Sequence, residues 1–575
     1  MTQQTGTIKG EHRINIGTGS EWKFTTLQNA IHFASALLGL HESSVKLFPT
    51  ERFSTPESGL HEFANAEEKA LAVKQDGAES FGWDIGLQID ALEGPGPHIK
   101  RVVGPNPTNA EVYRYYRDKL AQLPLEQRKG HLNYALCFVD DRGHTFFTAS
   151  RLDVKFDINA PEPGPDINPL DTMMSIDLFG KTYADLDERE LGLFNDRLAR
   201  GLLSLVSESE AQKEYIDTRR SHTMGNKTWV FSQDKPEAPI RLCQAEDEER
   251  VNTMSSSLTE HYDGHSHGWA WKAYKATTKA SRADSNGHHS ITKDLILMGP
   301  VGEAFGQFSL VGKSSDAIKI NTWVVDESQR GKGYGGLLLR EIVDLGEALG
   351  IRKLYATTAS PGALHLFKKY GFKVEVVLPD HYKEHSDERV LGKILIPAES
   401  GGGPATTINM LTESNKPITE VQPANRTDSN EILTWLTNLS AWQNGVDAEY
   451  LDKTFRGVER GFDKIAEKGK YFIVAKAADG TIQGVAAATL KMGGLVKIYP
   501  LIGSVQAQEE LIRAVLSEVK KYNIRILYVF SPVWDEKQAE FFTQIGLKKR
   551  GTLRSAFKQG ADVYQWSERI ENLFS

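Results

Sequence analysis

Residues 329–336 read Gln-Arg-Gly-Lys-Gly-Tyr-Gly-Gly, and the fold can be read outward from them. They follow a short apolar run, Ile318 to Val325. They lead into Leu337-Leu338-Leu339-Arg340-Glu341-Ile342-Val343, whose apolar spacing suits a helix. A strand, a glycine-rich turn and a helix in that order build an anion cradle. The glycines let backbone N–H groups come close to a ligand and tolerate positive φ, while the helix N-terminus adds partial positive charge. Arg330 and Lys332 add formal charge, and the ligand this arrangement suits is a pyrophosphate.

The spacing narrows the choice. The P-loop pattern is absent, and Arg330-Gly331-Lys332-Gly333-Tyr334-Gly335 reads R-x-x-G-x-G. This resembles the acetyl-CoA loop of the GNAT family of N-acyltransferases. The resemblance continues through Ile351 to Thr358, like that family's next strand, and through Ala363 to Phe372, like its following helix and turn. It implies that backbone N–H groups of Trp323, Val324 and Val325 receive the thioester and pantetheine arm. Arg330, Gly331, Lys332, Gly333, Tyr334 and Gly335 then hold the diphosphate.

Amine acetylation also needs a base and a proton for the departing thiolate. The tyrosine that many family members carry before the Gly-Phe turn is Phe367 here, and the helix-start asparagine is Ser360. The candidates are Glu303, Asp316, His381 and Tyr382, with Glu303 and Tyr382 the catalytic choices. Tyr370 reads as packing. Histidines 261, 265, 267, 288 and 289 lie in a polar stretch without the tight ligand spacing of a zinc site. They read as a mobile loop over the acceptor side.

At 575 residues the chain should hold three or four domains. Polar residues around 208–236 and the Gly-Gly-Gly-Pro stretch within 398–406 read as linkers. They divide the chain into 1–210, 238–397 and 405–575. The second and third segments look like divergent copies: each opens with a short strand and a polar helix start, and each closes with helix, Gly, apolar residue and strand. A hairpin is expected from Tyr471–Ala475 and Gly484–Ala488 around Ala478-Asp479-Gly480. Where R-x-x-G-x-G should recur, the third segment reads Pro500-Leu501-Ile502-Gly503-Ser504-Val505. With one glycine and no nearby cation it reads as a degenerate GNAT-like domain that does not bind CoA.

The N-terminal segment carries a strand, a Gly turn and a helix start over Ile14 to Thr26, which present Lys23 to an anion. Then come Asn65-Ala66-Glu67-Glu68-Lys69-Ala70 and Trp83-Asp84-Ile85-Gly86-Leu87 through Gly94-Pro95-Gly96. Order and distances resemble the inosine/xanthosine triphosphate pyrophosphatase (ITPase-like) family over residues 11–205. The resemblance implies Asp84 as the residue anchoring Mg²⁺ and the attacking water, Glu57 or Glu62 as companion metal carboxylates, and Lys23 on phosphate. Ser20 replaces the family's Asn. The base-pocket segment is not evident near Met173 to Asp177, and Asn195-Asp196-Arg197 stands where Ser-His-Arg is usual. Base selectivity is therefore left open.

The expected fold is α/β: an ITPase-like domain and two tandem GNAT-like domains, each a mixed sheet with flanking helices. The expected function is acetyl-CoA-dependent transfer to the amine of a small molecule, a nucleotide-derived one included, fused to a nucleotide-binding or hydrolysing domain. The alternatives are a triphosphate pyrophosphatase with accessory GNAT domains and a non-catalytic assembly protein. A net charge of −8 without a long basic block argues against nucleic acid as the main partner. No run approaches the ~20 apolar residues of a membrane span. The N-terminus lacks a secretion signal, and two cysteines, Cys137 and Cys243, provide no disulfide framework. A cytoplasmic location is expected, and self-association is left open.

Overall fold

The computed structural model describes residues 8, 11–18, 21–38, 45–50, 55, 57, 59–92, 94–164, 167–176, 180–214, 221–224, 226–231, 240–243, 247–256, 292–298, 304–313, 317–397, 409–413, 416–437, 439, 443, 451, 455, 471–491 and 493–574. The chain forms two compact units. One holds residues 1–242 with the short pieces 297–303 and 347–349, and the other holds the remainder. Among the described residues no helix is long and apolar enough to cross a membrane.

The first unit is a mixed sheet. Its strands are β1 (His12–Ile16), β2 (Val45–Pro49), β3 (Glu79–Ile89), β4 (Gly94–Gly96), β5 (Lys129–Val139), β6 (Thr145–Phe156), β7 (Met174–Ile176), β8 (Lys181–Thr182), β9 (Ser221–Met224) and β10 (Lys227–Val230). The spatial order is β2-β1-β3-β5-β6-β10-β9, with β4, β7 and β8 attached at the side. β1 is parallel to its neighbours, and β3, β5 and β6 are long antiparallel partners. Helices α1 (Glu21–Leu38), α2 (Glu62–Ala72), α3 (Asn109–Ala121) and α4 (Glu188–Lys213) accompany it. Leu27, Ala30 and Ile31 of α1 meet Leu198, Leu202 and Val206 of α4 over Phe81 and Phe138 of the sheet.

The polar stretch after residue 208 is not all linker. Helix α4 continues to Lys213, with Glu208 and Ser209 buried. β10 then pairs parallel to β6, which carries the first unit past residue 210. The reason is apolar: Trp229 is fully buried, with its ring edge-on to Phe63 at 5.4 Å. An aromatic side chain so placed contributes about 2–3 kcal/mol.

The second sheet is one design built twice. The first set is β11 (Ile240–Leu242), β12 (Thr292–Met298), β13 (Ala304–Lys313), β14 (Ala317–Val325), β15 (Lys353–Thr358), β16 (Lys373–Leu378) and β17 (Glu388–Ile394). The second set is β18 (Ile418–Pro423), β19 (Tyr471–Ala477), β20 (Ile482–Lys491), β21 (Leu495–Gly503), β22 (Ile526–Pro532), β23 (Lys548–Leu553) and β24 (Val563–Arg569). The order runs β11-β12-β13-β14-β15-β17-β16-β23-β24-β22-β21-β20-β19-β18, so the second half repeats the first in mirror sequence. The expected hairpin is β19–β20, paired antiparallel. The helices are α5 (Glu248–Ser256), α6 (Tyr334–Ala348), α7 (Pro361–Lys369), α8 (Ser429–Thr437), α9 (Val505–Val519) and α10 (Glu536–Gln544).

The repeat holds residue by residue. Gly306 pairs with Val325 as Gly484 pairs with Gly503, and both hairpins carry a bulge, beside Asn321 and beside Tyr499. β14 and β15 pair only over Ala317–Ile320 and Lys353–Ala356, and β21 and β22 only over Leu495–Ile498 and Ile526–Val529. Beyond those pairs each couple of strands parts. The halves meet antiparallel at Val376 and Gly551, which are equivalent positions, so a local two-fold relates them there. The contacts reciprocate: Arg352 donates to the Ser555 carbonyl, and Arg525 donates to the Asp380 carbonyl at 3.3 Å. Asp380 and Ser555 also share a left-handed φ, 53° and 44°.

Candidate functional site

In the first unit, α2 lies across β3 because Gly82 and Gly86 flank Asp84 on one strand face. A Cβ at Gly82 would stand 2.4 Å from the Ala66 carbonyl, and one at Gly86 would overlap the Glu62 carboxylate. At Gly82, where backbone atoms are met, only glycine permits that approach. Asn65 and Lys69, one helical turn apart, then reach the same carboxylate. Asn65 Nδ2 donates to Asp84 Oδ2 at 2.9 Å and Lys69 Nζ to Asp84 Oδ1 at 2.6 Å. Lys69 Nζ also pairs with Glu57 Oε1 at 2.9 Å. Arg101 donates to the Glu57 carbonyl at 2.7 Å, which holds Glu57 at its positive φ of 47°.

Burial opposes the Lys69 charge, but the Asp84 and Glu57 carboxylates outweigh it and raise its pKa above the ordinary lysine value. His61 caps α2 through Nδ1. Burial, with nearby Lys227 adding to it, pulls that imidazole down to about 4, so it is neutral. Among the described residues no group of three His, Cys, Asp or Glu forms a metal cluster. Asp84 and Glu57 offer the hard oxygens that Mg²⁺ takes, but the cation between them is Lys69. Lys69 and Asn65 are the site residues that the sequence reading quoted without assigning. Their spacing on one helical face was the available signal. The Lys23 side chain and Ser20 lie outside the described residues.

Elsewhere in that unit, Met173, Met174 and Ile176 are core residues. Arg197 is engaged with the Arg151 carbonyl at 2.6 Å. Asp171, raised to about 6 by burial, stands near Tyr134 and Tyr183.

In the second unit, β14 ends at Val325 and Asp326 caps a single 3₁₀ turn through the Ser328 N–H. Gly331 and Gly333 then take φ of 81° and 86°, with open space where a Cβ would lie. α6 begins at Tyr334, so its first N–H groups face outward from the turn. Arg330 and Lys332 are exposed beside it. Trp323 lies against Gly335, and its ring meets Phe367 at 5.5 Å. Phe367 is buried against Phe372 at 5.0 Å, a packing position with no proton to give. Tyr370 lies under Gly336, near Arg340. Among the described residues no strand pairs with the β14 edge turned toward β15 between Asn321 and Val325, and Arg330 Nε donates to the Val325 carbonyl at 3.3 Å. Glycine turn, helix start and open edge form a continuous set of donors that fits a diphosphate with an extended arm.

His381 and Tyr382 come together with ring centroids 4.6 Å apart. Burial pulls His381 down to about 3, with Lys319 and Arg525 adding to it, so it is a neutral ring against Tyr528. Burial pushes Tyr382 up to about 12, with Glu388 adding to it. Glu388 itself is fully buried, and among the described residues neither carboxylate oxygen has a hydrogen-bond partner. The sequence reading missed it, since Asp-Glu-Arg at a strand start looks like solvated surface. Glu303, Asp316 and the histidines at 261, 265, 267, 288 and 289 lie outside the described residues.

The second half differs at the matching place. Met410, Leu411 and Thr412 lie along the end of β21: the Gly503 N–H donates to the Met410 carbonyl at 3.0 Å, and the Thr412 N–H donates to the Gly503 carbonyl at 2.9 Å. Asp535 fixes that segment by accepting from the Met410 and Leu411 N–H groups at 2.5 and 3.2 Å. Ser504 caps α9 directly, leaving no glycine turn.

Residues 14–197 match the sequence model of the Ham1 family, and residues 258–372 match that of the Acetyltransferase (GNAT) family. A curated relative, the dITP/XTP pyrophosphatase of Leuconostoc mesenteroides, is 28% identical over 115 residues, 20% of this chain. The chain spans 56% of that relative's length. Among solved structures, a HAM1 protein from Coxiella burnetii aligns at 21% identity over 35% of this chain and 99% of its own, with a TM-score of 0.28. Spermidine N-acetyltransferase from Vibrio cholerae, in complex with CoA and spermine, aligns at 14% identity over 28% of this chain and 96% of its own, with a TM-score of 0.24. The chain thus joins a Ham1/ITPase-like stretch, residues 14–197, to a GNAT-like stretch, residues 258–372.

Proposed function

We propose that residues 238–397 transfer an acetyl group from acetyl-CoA to the amine of a small molecule, and that residues 405–575 are a degenerate GNAT-like repeat that binds no CoA. The observation that carries this reading is the open β14 edge leading into the Arg330–Gly335 turn, set against the Gly503 edge that Met410 and Thr412 occupy. Backbone N–H groups from Trp323 to Val325 hold the thioester carbonyl and pantetheine arm. The turn amides with Arg330 and Lys332 hold the diphosphate. Bound acetyl-CoA supplies the activated acyl group, and the chain's part is to orient it and exclude water.

The N-terminal domain has a second reading, carried by the Asp84–Lys69–Glu57 chain. A triphosphate binds there with the Mg²⁺ it brings, since Mg²⁺ needs only one or two carboxylates beside substrate phosphates. Lys69 and Arg101, with Lys23, grip phosphate oxygens, and Asp84 takes the proton of the attacking water. With Met173 and Ile176 given to the core, little is left to discriminate among bases.

Two assays on the full chain separate the activities. CoA-thiol release should respond to amines, and pyrophosphate release should respond to nucleoside triphosphates. Asp84→Asn should abolish pyrophosphate release and leave thiol release within about twofold. Thiol release falling with Asp84→Asn would overturn the separation of sites. Failure of the wild type to bind acetyl-CoA would overturn the acyltransferase reading.

A further inference from the structure

Glu388 opens β17 at the end of the sheet toward which β14 and β15 part. The parallel neighbours β14 and β15 part at their carboxyl ends, which opens there the kind of crevice that ligands occupy where parallel strands diverge. Cross-strand partners share a face, so Lys319, Tyr355 and Thr357 project with Glu388. α6 covers the other face, where Leu354 meets Gly346. Counting the bulge at Asn321, Ser309 also lies on the Glu388 face, and its hydroxyl is buried without a hydrogen-bond partner. A buried carboxylate with no donor is costly, and such groups are found where a ligand completes them.

The repeat supplies an internal control. Where the first half has Ser309, Thr357, Tyr382 and Glu388, the second has Ala487, Phe530, Phe557 and Val563, packed as hydrophobic core. The fold therefore closes at these four positions with apolar side chains, over which Lys497, the register equivalent of Lys319, places its ammonium 4.8 Å from the Phe530 ring. The polar set of the first half is not what holds the sheet together.

We propose that Glu388 is the acceptor-amine site of the acyltransferase half, binding the protonated primary amine of the substrate and taking the proton that frees its lone pair. The proposal rests on the acyltransferase reading above. An ammonium suits the place because Glu388 offers only acceptors and a neutral donor offsets a buried carboxylate poorly. The charged and titratable groups around it are Lys319 on β14, Tyr355 on β15, Arg389 on β17, and Tyr382 and His381 in the loop before it. In the step itself the ammonium gives one proton to Glu388, which later passes it to solvent. The freed nitrogen forms the C–N bond, the C–S bond breaks, and the second nitrogen proton goes to the departing thiolate.

The test uses the full chain, Glu388→Gln and Glu388→Val, with acetyl-CoA, n-butylamine and 1,4-diaminobutane as probes. Calorimetry should show acetyl-CoA affinity within about twofold in all three. Amine-dependent thiol release in Glu388→Gln should fall at least about 100-fold in kcat/KM, the scale of a lost general base. The pH limb near 7 of the wild type should disappear with it. Each amine should raise the wild-type Tm and not that of Glu388→Gln. Undiminished amine-dependent release, or equal Tm shifts in wild type and Glu388→Gln, would overturn the proposal. So would acetyl-CoA binding with neither amine acetylated nor stabilising. A wild type that binds no acetyl-CoA would overturn the acyltransferase reading instead, and the amine-dependent Tm would still decide Glu388.

Discussion

The two halves of the second unit share strand order, bulge, parting strands and even the left-handed residues of their exchanged loops. They differ at the open end of the sheet. In the first half, among the described residues, no strand pairs with β14 beyond Ile320 on its edge toward β15, the Val325 carbonyl accepts from the Arg330 side chain, and the strand leads into two glycines of positive φ. In the second half the chain's own Met410 to Thr412 occupies that edge, and Gln508, bonded to the Gly503 and Met410 carbonyls, seals it from the helix side. What repeats is what the sheet needs to fold. What does not repeat is what a ligand would need, so the comparison separates architecture from proposed chemistry without any second protein.

The largest expected effect on ligand affinity attacks the first half at its turn. Gly333→Asp places a Cβ and a carboxylate in the open space of a residue at φ 86°. Strain and repulsion of the diphosphate act together there. Acetyl-CoA affinity by calorimetry should fall more than about 100-fold, roughly 2.7 kcal/mol. Ser504→Asp, at the matching helix start, should leave affinity unchanged, because aspartate also caps a helix well. Equal losses would mean that the halves are not functionally distinct.

Much of this difference was legible in the sequence. The strand, turn and helix around 318–343 lie where the apolar spacing put them, and the missing glycines after Leu501 announced a turn unlike the first. The α2 and β3 motifs were visible too, but not that Lys69 would stand between Asp84 and Glu57. That depends on how closely two glycines let a helix approach, which no spacing states. Glu388 was illegible for a related reason. Its burial comes from the loop and from strands far away in the chain, while its sequence neighbours are charged. The plug at Met410 was hidden because main-chain pairing of an irregular segment leaves no side-chain pattern.

The largest expected effect on stability attacks the plug. Asp535 is buried and accepts from the N–H groups of Met410, Leu411 and Gln538. Asp535→Ala strands two buried donors, Met410 and the capped Gln538, and the part-buried Leu411 N–H, a loss of about 3–5 kcal/mol. Denaturant unfolding should show that loss, and calorimetry on the folded variant should show no second acetyl-CoA site, since no glycine turn lies beneath. A second site appearing would mean that the plug alone keeps the second half from binding, and the contrast would become one of regulation.

The smallest effect is a pH dependence that one half has and the other cannot. Burial raises Glu388 from 4.5 to about 7, against the opposing pull of Lys319 and Arg389. Its folded form therefore holds a proton that the unfolded chain has released between roughly pH 4.5 and 7. More protons bound in the folded state means that stability falls as pH rises through that window. The full loss, up to about 3 kcal/mol, is present above pH 7 and absent below about 4.5. Val563 at the equivalent position has nothing to titrate. Glu388→Val should thus flatten the slope and gain stability at pH 8 relative to wild type, measured as the difference in urea unfolding free energy between pH 5 and pH 8. Asp171, raised to about 6, and His12, raised to about 8 by Glu79 and Glu210 despite burial, titrate in the first unit. The quantity that decides is therefore the variant's curve minus the wild type's, in which those groups cancel. A variant less stable than wild type at pH 8 would show that Glu388 is part of what holds the first half together, and the two halves would then differ in their architecture as well.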